Sequence, residues 1–204
     1  AGCRALAEAM PWVTALDLRR NPMPEWPLAI LLRAQAPRLR CLRLSRASLS
    51  GEPWPAPETL VRALVSPMSR GAVGQLKVLD LAGNDLYDAG ASLLAEAFVS
   101  NSAPGLEQLD LSSNALTDGN VLCKVVMGAG SHLADLKLHD NALADLAVVA
   151  LSAAVALVTG LRRLSLARNR CGDEGAVALG HSLRHQCAGA CSKQADVPHA
   201  AVRA

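Results

Sequence analysis

The segments LKVLDLAGN (residues 76–84) and LEQLDLSSN (residues 106–114) have leucine at positions 1, 4 and 6 and asparagine at position 9. Alternation of apolar and polar residues around positions 4 and 6 predicts a short strand with one buried face. The side-chain amide of the asparagine can satisfy backbone groups in the turn after the strand. We therefore expect a strand followed by a turn wherever this nine-residue motif recurs.

The motif recurs four more times, beginning at Val13, Leu39, Leu133 and Leu161. Its position-6 leucines are separated by 26, 37, 30, 27 and 28 residues, and they are Leu18, Leu44, Leu81, Leu111, Leu138 and Leu166. Position 9 is asparagine in five motifs, and the exception is Ala47. A spacing of about 28 residues is long enough for a strand, a turn, a helix and a return loop, which is typical of a repeat array.

Alanine-rich stretches between the motifs are predicted to be helices. In the clearest of them, beginning at Asp88, apolar residues recur every three or four positions on one helical face. Corresponding stretches begin at Asp118, Asp145 and Asp173. The longest uncharged run, residues 146–161, has 16 residues, fewer than the roughly 20 of a membrane-spanning helix. We interpret it as the buried helix of the fifth repeat.

The six LxxLxLxxN cores, followed by xDxGAxxLAxAL-like helices at residues 88–97 and 173–183, resemble the ribonuclease-inhibitor-like subfamily of the leucine-rich repeat family. The resemblance covers residues 1–186 and implies an α/β solenoid of about six repeats. It implies a curved parallel sheet on the concave face and helices on the convex face. Residues 187–204 lose the periodicity and are predicted to form a flexible C-terminal tail.

Two segments depart from the regular repeat. The 37-residue spacing contains the Pro-rich sequence GEPWPAP (residues 51–57), which we interpret as a tolerated insertion. Residues 2–10 resemble the helical half of a repeat without its strand. Either the chain is a piece of a longer array or these residues form a helical cap, because the ends of a solenoid need polar caps.

The composition agrees with a thin repeat core. The chain has 35 Leu and 37 Ala but only five aromatic residues, and its 20 basic and 18 acidic residues argue against nucleic-acid binding driven by net charge. The charges are segregated, since residues 80–145 carry 2 basic and 10 acidic residues and the flanking segments are basic. Six dispersed cysteines and the absence of an N-x-Ser/Thr sequon predict an intracellular, cytoplasmic protein with free thiols.

Candidate partner-binding residues lie beside the buried leucines, where side chains point out from the predicted concave face. This face has no Trp or Tyr, so binding there is expected to be polar. The strip formed by Arg40, Arg43 and Arg46 is the strongest single patch. Trp26 and Trp54 stand in Pro-rich connections and are candidates for contacts outside the repeat pattern. The full concave set is Arg19, Arg40, Arg43, Arg46, Asp80, Glu107, Asp110, Lys137, His139, Arg163 and Arg168.

Motifs for catalysis and for cofactors are absent. The sequence contains no HExxH, GxSxG, GxxxxGK[ST] or GxGxxG, so no catalytic residue, no cofactor and no enzymatic activity are predicted. His181, His185, Cys187 and Cys191 are close in sequence, but on a continuous helix the histidines and the cysteines face different sides. No metal site is therefore predicted.

We interpret the chain as a non-enzymatic scaffold or assembly subunit that binds protein partners and does not associate with membranes. One alternative is a regulator of a small GTPase, because Ran GTPase-activating proteins share this repeat type. Another is a nucleic-acid-associated subunit, because five arginines lie between Arg33 and Arg46 without an acidic residue. The lack of aromatic stacking residues beside these arginines and the acidic centre make the nucleic-acid alternative weaker.

Overall fold

The computed structural model describes residues 12–21, 38–47, 64, 75–99 and 105–193, with side chains as far as Arg184. Each motif forms one three-residue strand. The strands are β1 (Ala15–Asp17), β2 (Cys41–Arg43), β3 (Val78–Asp80), β4 (Gln108–Asp110), β5 (Asp135–Lys137) and β6 (Arg163–Ser165).

The six strands form one sheet in sequence order, and all neighbouring strands are parallel. The register is the same at every junction, so equivalent motif positions lie side by side: Leu79 pairs with Leu109, and Leu109 with Leu136. Each position of the motif therefore forms a row across the sheet. This is the α/β repeat architecture that the sequence predicts.

The described helices are α1 (Tyr87–Val99), α2 (Gly119–Ala129), α3 (Asp145–Leu157) and α4 (Asp173–Lys193). Each packs on the next helix along the chain. Position-1, 4 and 6 leucines of the central motifs and the inner faces of the helices form one buried layer, which includes Phe98. Short aliphatic side chains fill this layer, which explains the scarcity of aromatic residues.

Helix α4 extends beyond the predicted boundary of the repeat domain. The loss of periodicity predicts a tail from residue 187, and the helix continues to Lys193. The segment CAGACSK (residues 187–193) has no proline, and its two alanines favour a helix, so the sequence allows the helix to continue. The division of the chain at residue 186 stays a prediction.

The position-9 asparagines join neighbouring repeats through hydrogen bonds. Asn114 donates from Nδ2 to the carbonyl oxygens of Leu81 (3.0 Å) and Ser112 (3.1 Å), and its Oδ1 accepts from the amides of Asn84 (2.9 Å) and Leu86 (3.3 Å). Asn84, Asn141 and Asn169 make equivalent bonds across their own junctions. Each asparagine thus connects its turn to the turn of the preceding repeat.

Ala47 interrupts this ladder between the first two repeats. The side-chain amide of Asn21 is exposed and donates to the carbonyl oxygen of Arg19 within its own turn (3.1 Å). The methyl side chain of Ala47 has neither the hydrogen-bond donor nor the acceptor with which an asparagine would bond to the first repeat. The β1–β2 junction is therefore joined by strand pairing without the asparagine bond that the later junctions have.

Helix α3 is not buried on all sides, contrary to the expectation from the sequence. Its inner face, including Val148, Leu151 and Val155, is buried. Its outer face exposes Leu146 (82%) and Leu157 (67%). A helix in a single-layered solenoid has one face toward the sheet and neighbouring helices on its sides, so the remaining face meets solvent. No helix in the described part of the chain is long and apolar enough to span a bilayer.

Candidate binding surface on the strand face

We call the outward side of the sheet the strand face. It consists of the side chains at positions 2, 3, 5, 7 and 8 of the six motifs, which lie beside or follow the buried leucines. Adjacent strands are about 4.8 Å apart, so side chains at the same position of neighbouring motifs are within reach of each other. All eleven residues of the predicted concave set occupy these positions.

Ion pairs between neighbouring strands neutralise much of the charge from β3 to β6. Lys77 Nζ lies 2.6 Å from Glu107 Oε1, both at position 2. At position 5, Lys137 Nζ lies 3.4 Å from Asp110 Oδ2. Because the partners occupy the same position of adjacent motifs, the common register determines this pairing.

The last two motifs contain a similar network. Arg163 Nε lies 3.2 Å from Asp135 Oδ2. Asp140 Oδ1 lies 3.3 Å from Arg168 Nε, and its Oδ2 lies 2.8 Å from His139 Nδ1. Asp135 is buried to about nine tenths, and its guanidinium partner compensates the loss of hydration. These charges are matched within the protein itself.

The surface of β1 and β2 differs, because several arginines there form no ion pair with a described residue. Arg40, Arg43 and Arg46 are exposed, and so is Arg20 at position 8 of the first motif. Arg19 is paired with Asp17, with 2.7 Å between Nη2 and Oδ2. The hydrogen bonds from the Arg19 side chain and backbone amide lower the pKa of Asp17. Arg40, Arg43 and Arg46 stand at positions 2, 5 and 8 of one motif, and all three are exposed. The structure therefore brings the three predicted strip arginines together on one surface.

A shallow depression of about 90 Å³ lies on the strand face where this basic surface meets the acidic centre. Arg43 lies on one side, Lys137 on the other, and Asp80 and Asp110 between them. Asp80 is half-buried, its Oδ1 accepts from the backbone amide of Ala82 (3.1 Å), and it forms no ion pair with a described residue. The depression therefore presents one arginine and one carboxylate that are not paired with each other or with another described residue.

A larger cavity of about 290 Å³ opens at the edge of the sheet, where β1, β2 and β3 begin. We call it the edge cavity, and its described lining residues are Trp12, Thr14, Arg38, Arg40 and Gln75. The guanidinium carbon of Arg38 lies 4.5 Å from the ring centroid of Trp12, which is 76% exposed. Such stacking is a cation–π contact.

Trp12 is not among the residues that the sequence predicts to bind a partner. Trp12 directly precedes the first motif, and Arg38 and Gln75 directly precede the second and third. Because the motifs share one register, these three residues come together at the sheet edge. An alignment of the residues that precede each motif would have placed Trp12 next to Arg38, and it would have identified an aromatic side chain beside a strand face that has no Trp or Tyr.

A second feature missed from the sequence is the exposed apolar stripe of α3, which runs from Leu146 through Val149 to Leu157. The corresponding outer faces of α1 and α2 include a charged residue, Glu96 and Lys124 respectively. The sequence alone indicates this exposed apolar stripe, because α3 has no charged residue after Asp145. A helix that is apolar on every side departs from the amphipathic pattern of a surface helix.

Other predicted residues lie partly outside the described structure. Trp26, Trp54 and the side chains of His185, Cys187 and Cys191 are among them, so their expected roles are untested. Cys41, Cys123 and Cys171 are free thiols. Burial raises the pKa of Cys123 and of Cys171, in the latter case together with the nearby Asp145 carboxylate. Both thiols are therefore poor nucleophiles at neutral pH.

Comparison with known proteins supports the repeat assignment. A family model described as Leucine Rich repeat matches residues 76–95, 105–119 and 160–180. The ribonuclease inhibitor of Sus scrofa is 30% identical over an alignment that covers 90% of this chain and 46% of that protein. NACHT, LRR and PYD domains-containing protein 5 of Bos taurus is 37% identical over 54% of this chain and 10% of its own length.

The chain thus spans less than half the length of these curated relatives. Among solved structures, the tropomodulin C-terminal domain of Caenorhabditis elegans has a TM-score of 0.54. It is 13% identical and the match covers 95% of this chain and 96% of that one. At this identity the likeness concerns the fold alone.

Proposed function

Since the chain belongs to the leucine-rich repeat family, with ribonuclease-inhibitor-like repeats, we propose that it is a non-enzymatic scaffold that binds a protein partner on its strand face. The polar, exposed strand surface supports this proposal, because its charges are arranged in rows that a complementary surface can match. The binding set comprises Arg19, Arg40, Arg43, Arg46, Asp80, Glu107, Asp110, Lys137, His139, Arg163 and Arg168.

One observation carries the proposal: Arg40, Arg43 and Arg46 are exposed without an ion-pair partner among the described residues, whereas charges on β4 to β6 are paired. Clustered like charges repel each other in the free protein. An acidic partner surface relieves this repulsion and is attracted over several ångströms, which raises the association rate. The paired residues on β4 to β6 provide a polar surface of lower net charge around this contact.

Affinity capture from extracts of the native source tests the proposal. The full chain, the triple variant Arg40→Glu, Arg43→Glu, Arg46→Glu and the control Lys124→Glu serve as baits, after nuclease treatment and with crosslinking. Lys124 is an exposed cation on α2, away from the strand face. We expect a protein retained by the wild type and by the control but reduced about tenfold or more by the triple variant. Equal retention by all three baits contradicts binding at the strand face.

We also propose an intracellular, reducing compartment, the cytoplasm. The free thiols of Cys41, Cys123 and Cys171 support this, because disulfides are uncommon in reducing compartments. Thiol titration of protein isolated from its native source under acid quench tests the compartment. We expect these three cysteines to be recovered reduced, and intermolecular disulfides at these positions would contradict the proposal.

A further inference from the structure

We infer that the edge cavity binds an acidic side chain of the partner, an aspartate or a glutamate, with the neighbouring apolar residue of the partner lying on Trp12. This inference rests on the proposed function and names the chemistry of the partner segment. It concerns a place at the rim of the strand face, where the strands begin. The partner is a peptide segment with a carboxylate beside an apolar side chain.

Backbone hydrogen bonds between strands hold the walls of the edge cavity. The amide of Arg40 donates to the carbonyl oxygen of Thr14 (2.7 Å), and the amide of Lys77 donates to the carbonyl oxygen of Arg40 (2.8 Å). The side chains of Thr14 and Arg40 therefore project from neighbouring, fixed strand starts. A site on such elements is already ordered before binding, which reduces the entropic cost of association.

The polar groups of the edge cavity favour an anion. Arg40 contributes an exposed guanidinium group, Thr14 a hydroxyl and Gln75 a side-chain amide, while the guanidinium of Arg38 stacks on Trp12. No carboxylate is among the described lining residues. Guanidinium groups bind carboxylates through two parallel hydrogen bonds. The indole of Trp12 adds a broad exposed apolar surface, which suits the residue next to the carboxylate.

The indole, guanidinium and amide groups of the edge cavity come together beside β1, β2 and β3, the first three strands of the described sheet. The residues that precede the later motifs are Gly105, His132 and Gly160, in place of Trp12, Arg38 and Gln75. Two glycines and an imidazole supply neither the indole surface nor the second guanidinium. The edge cavity is therefore a local specialisation and does not follow from the repeat pattern.

A peptide fits the surroundings better than a nucleic acid does. Beyond Arg40 and Arg43 the strand face turns acidic, with Asp80 unpaired among the described residues and Asp110 beside it. A phosphate backbone carries a negative charge on every nucleotide and would bring some of them against these carboxylates. A peptide can place an acidic residue in the edge cavity and a basic residue opposite Asp80.

Fluorescence anisotropy with the full chain and a labelled dodecapeptide tests the inference. The peptide contains three Glu-Leu pairs followed by two lysines, and the matched control peptide has glutamine in place of each glutamate. We expect the glutamate peptide to bind at least about tenfold more tightly. Equal affinities, or no binding of the glutamate peptide up to millimolar concentration, overturn the inference.

Variants locate the binding site. Trp12→Ala and Arg40→Ala should each weaken the glutamate peptide by about fivefold or more, and Arg40→Lys should have an intermediate effect. The matched control is Arg162→Ala, which removes an exposed arginine from the equivalent position of the sixth motif. Trp12 and Arg40 are exposed, so circular dichroism is expected to show an unchanged fold. Equal weakening by the control variant would refute binding in the edge cavity.

Three further outcomes test this inference, and the last two separate it from the proposed function. Displacement of the peptide by a single-stranded oligonucleotide of higher affinity would replace the peptide occupant with a nucleic acid and overturn the inference. If the captured partner is lost with Arg43→Glu and Arg46→Glu but retained with Trp12→Ala and Arg40→Ala, the strand-face scaffold stands and the edge cavity is excluded. If neither pair of changes releases the partner, the proposed function itself fails.

Discussion

At the scale of single residues, the position-9 asparagine bonds both within its own turn and to the turn of the preceding repeat. Its recurrence after each strand predicts a side chain that satisfies the backbone of its own turn, as the bond from Asn84 Nδ2 to the Leu81 carbonyl oxygen confirms (2.8 Å). The bonds to the preceding repeat depend on how closely two turns approach, which one motif cannot reveal. Asn84 Nδ2 also reaches the carbonyl oxygen of Leu44, 40 residues earlier.

Replacing a ladder asparagine should therefore be costly. Asn114→Ala leaves the buried amides of Asn84 and Leu86 without an acceptor and removes one of the two donors from each of the Leu81 and Ser112 carbonyl oxygens. We expect a loss of about 2–4 kcal/mol in the free energy of unfolding. Asn21→Ala is the control, because the exposed Asn21 bonds only within its own turn; its expected effect is below about 0.5 kcal/mol. Urea unfolding followed by circular dichroism measures both, and similar losses would argue against the ladder.

Asp88 should give the stability a pH dependence. Burial raises its pKa, but hydrogen bonds from the Thr117 hydroxyl and the amides of Asp118 and Thr117 outweigh burial and lower the pKa overall. Since the folded pKa lies below the unfolded one, the carboxylate stabilises the fold above about pH 4 and loses this effect as the pH falls through the folded value.

We expect Asp88→Asn to cost about 1 kcal/mol at neutral pH, as for a lost helix cap, and to differ less from the wild type near pH 3. Urea unfolding at a series of pH values measures the difference. Asp173→Asn is the control, since no described group donates a hydrogen bond to its carboxylate. A difference that is constant across this pH range would show that Asp88 does not act through its charge.

At the scale of helices and strands, close approach between successive helices depends on glycine. A Cβ on Gly119 would lie 2.1 Å from the carbonyl oxygen of Ala147 at the start of α3. The sequence predicts that small residues allow close helix packing, but it does not identify which glycine makes the contact. The identity of the contacting glycine depends on how far neighbouring helices are displaced along their axes, which the lengths of the loops determine.

Gly119→Ala should consequently separate α2 from α3. The obstructing atoms belong to the backbone and cannot rotate away, so we expect a loss of about 3 kcal/mol or more. Gly180→Ala in α4 is the control, because its Cβ would meet no atom within 4 Å, and alanine should stabilise that helix by up to about 1 kcal/mol. Thermal unfolding distinguishes the two. Equal, small effects would show that the helices can shift apart without cost.

The ion pairs of the strand face illustrate what could have been obtained from the sequence. Lys137 and Asp110 stand at the same motif position, so alignment of the motifs in one register would have paired them. The exposure of Leu146 could have been inferred from the uncharged sequence of α3. The edge cavity is harder to predict, because Trp12 stands just before the motif and its stacking on Arg38 depends on side-chain conformation.

At the scale of the whole molecule, burial is greatest in the central repeats. Leu109 and Leu136 are fully buried, whereas Leu16 and Leu164 in the first and last described strands are only partly covered. Each repeat contacts its immediate neighbours, so stability is approximately a sum of repeat and junction terms. The outer strands of the described sheet should therefore open more readily than the central ones.

Hydrogen exchange measured by mass spectrometry tests this gradient. We expect amides of β6 to exchange about tenfold or more faster than amides of β4 and β5, because β6 has a described neighbour on one side only. Leu138→Ala, at the β5–β6 boundary, should increase the difference. Uniform protection across all six strands would mean that the array unfolds as one cooperative unit.

The missing asparagine at Ala47 also has a mechanical consequence. When the two ends of a linear array are pulled apart, every junction carries the same tension, and the array breaks where the bonds across a junction are fewest. In the described part of the chain that junction is β1–β2, which has strand pairing but no asparagine bond. When the chain is stretched from its two ends in a single-molecule force experiment, we expect β1, together with the preceding Trp12, to detach before the later repeats unfold.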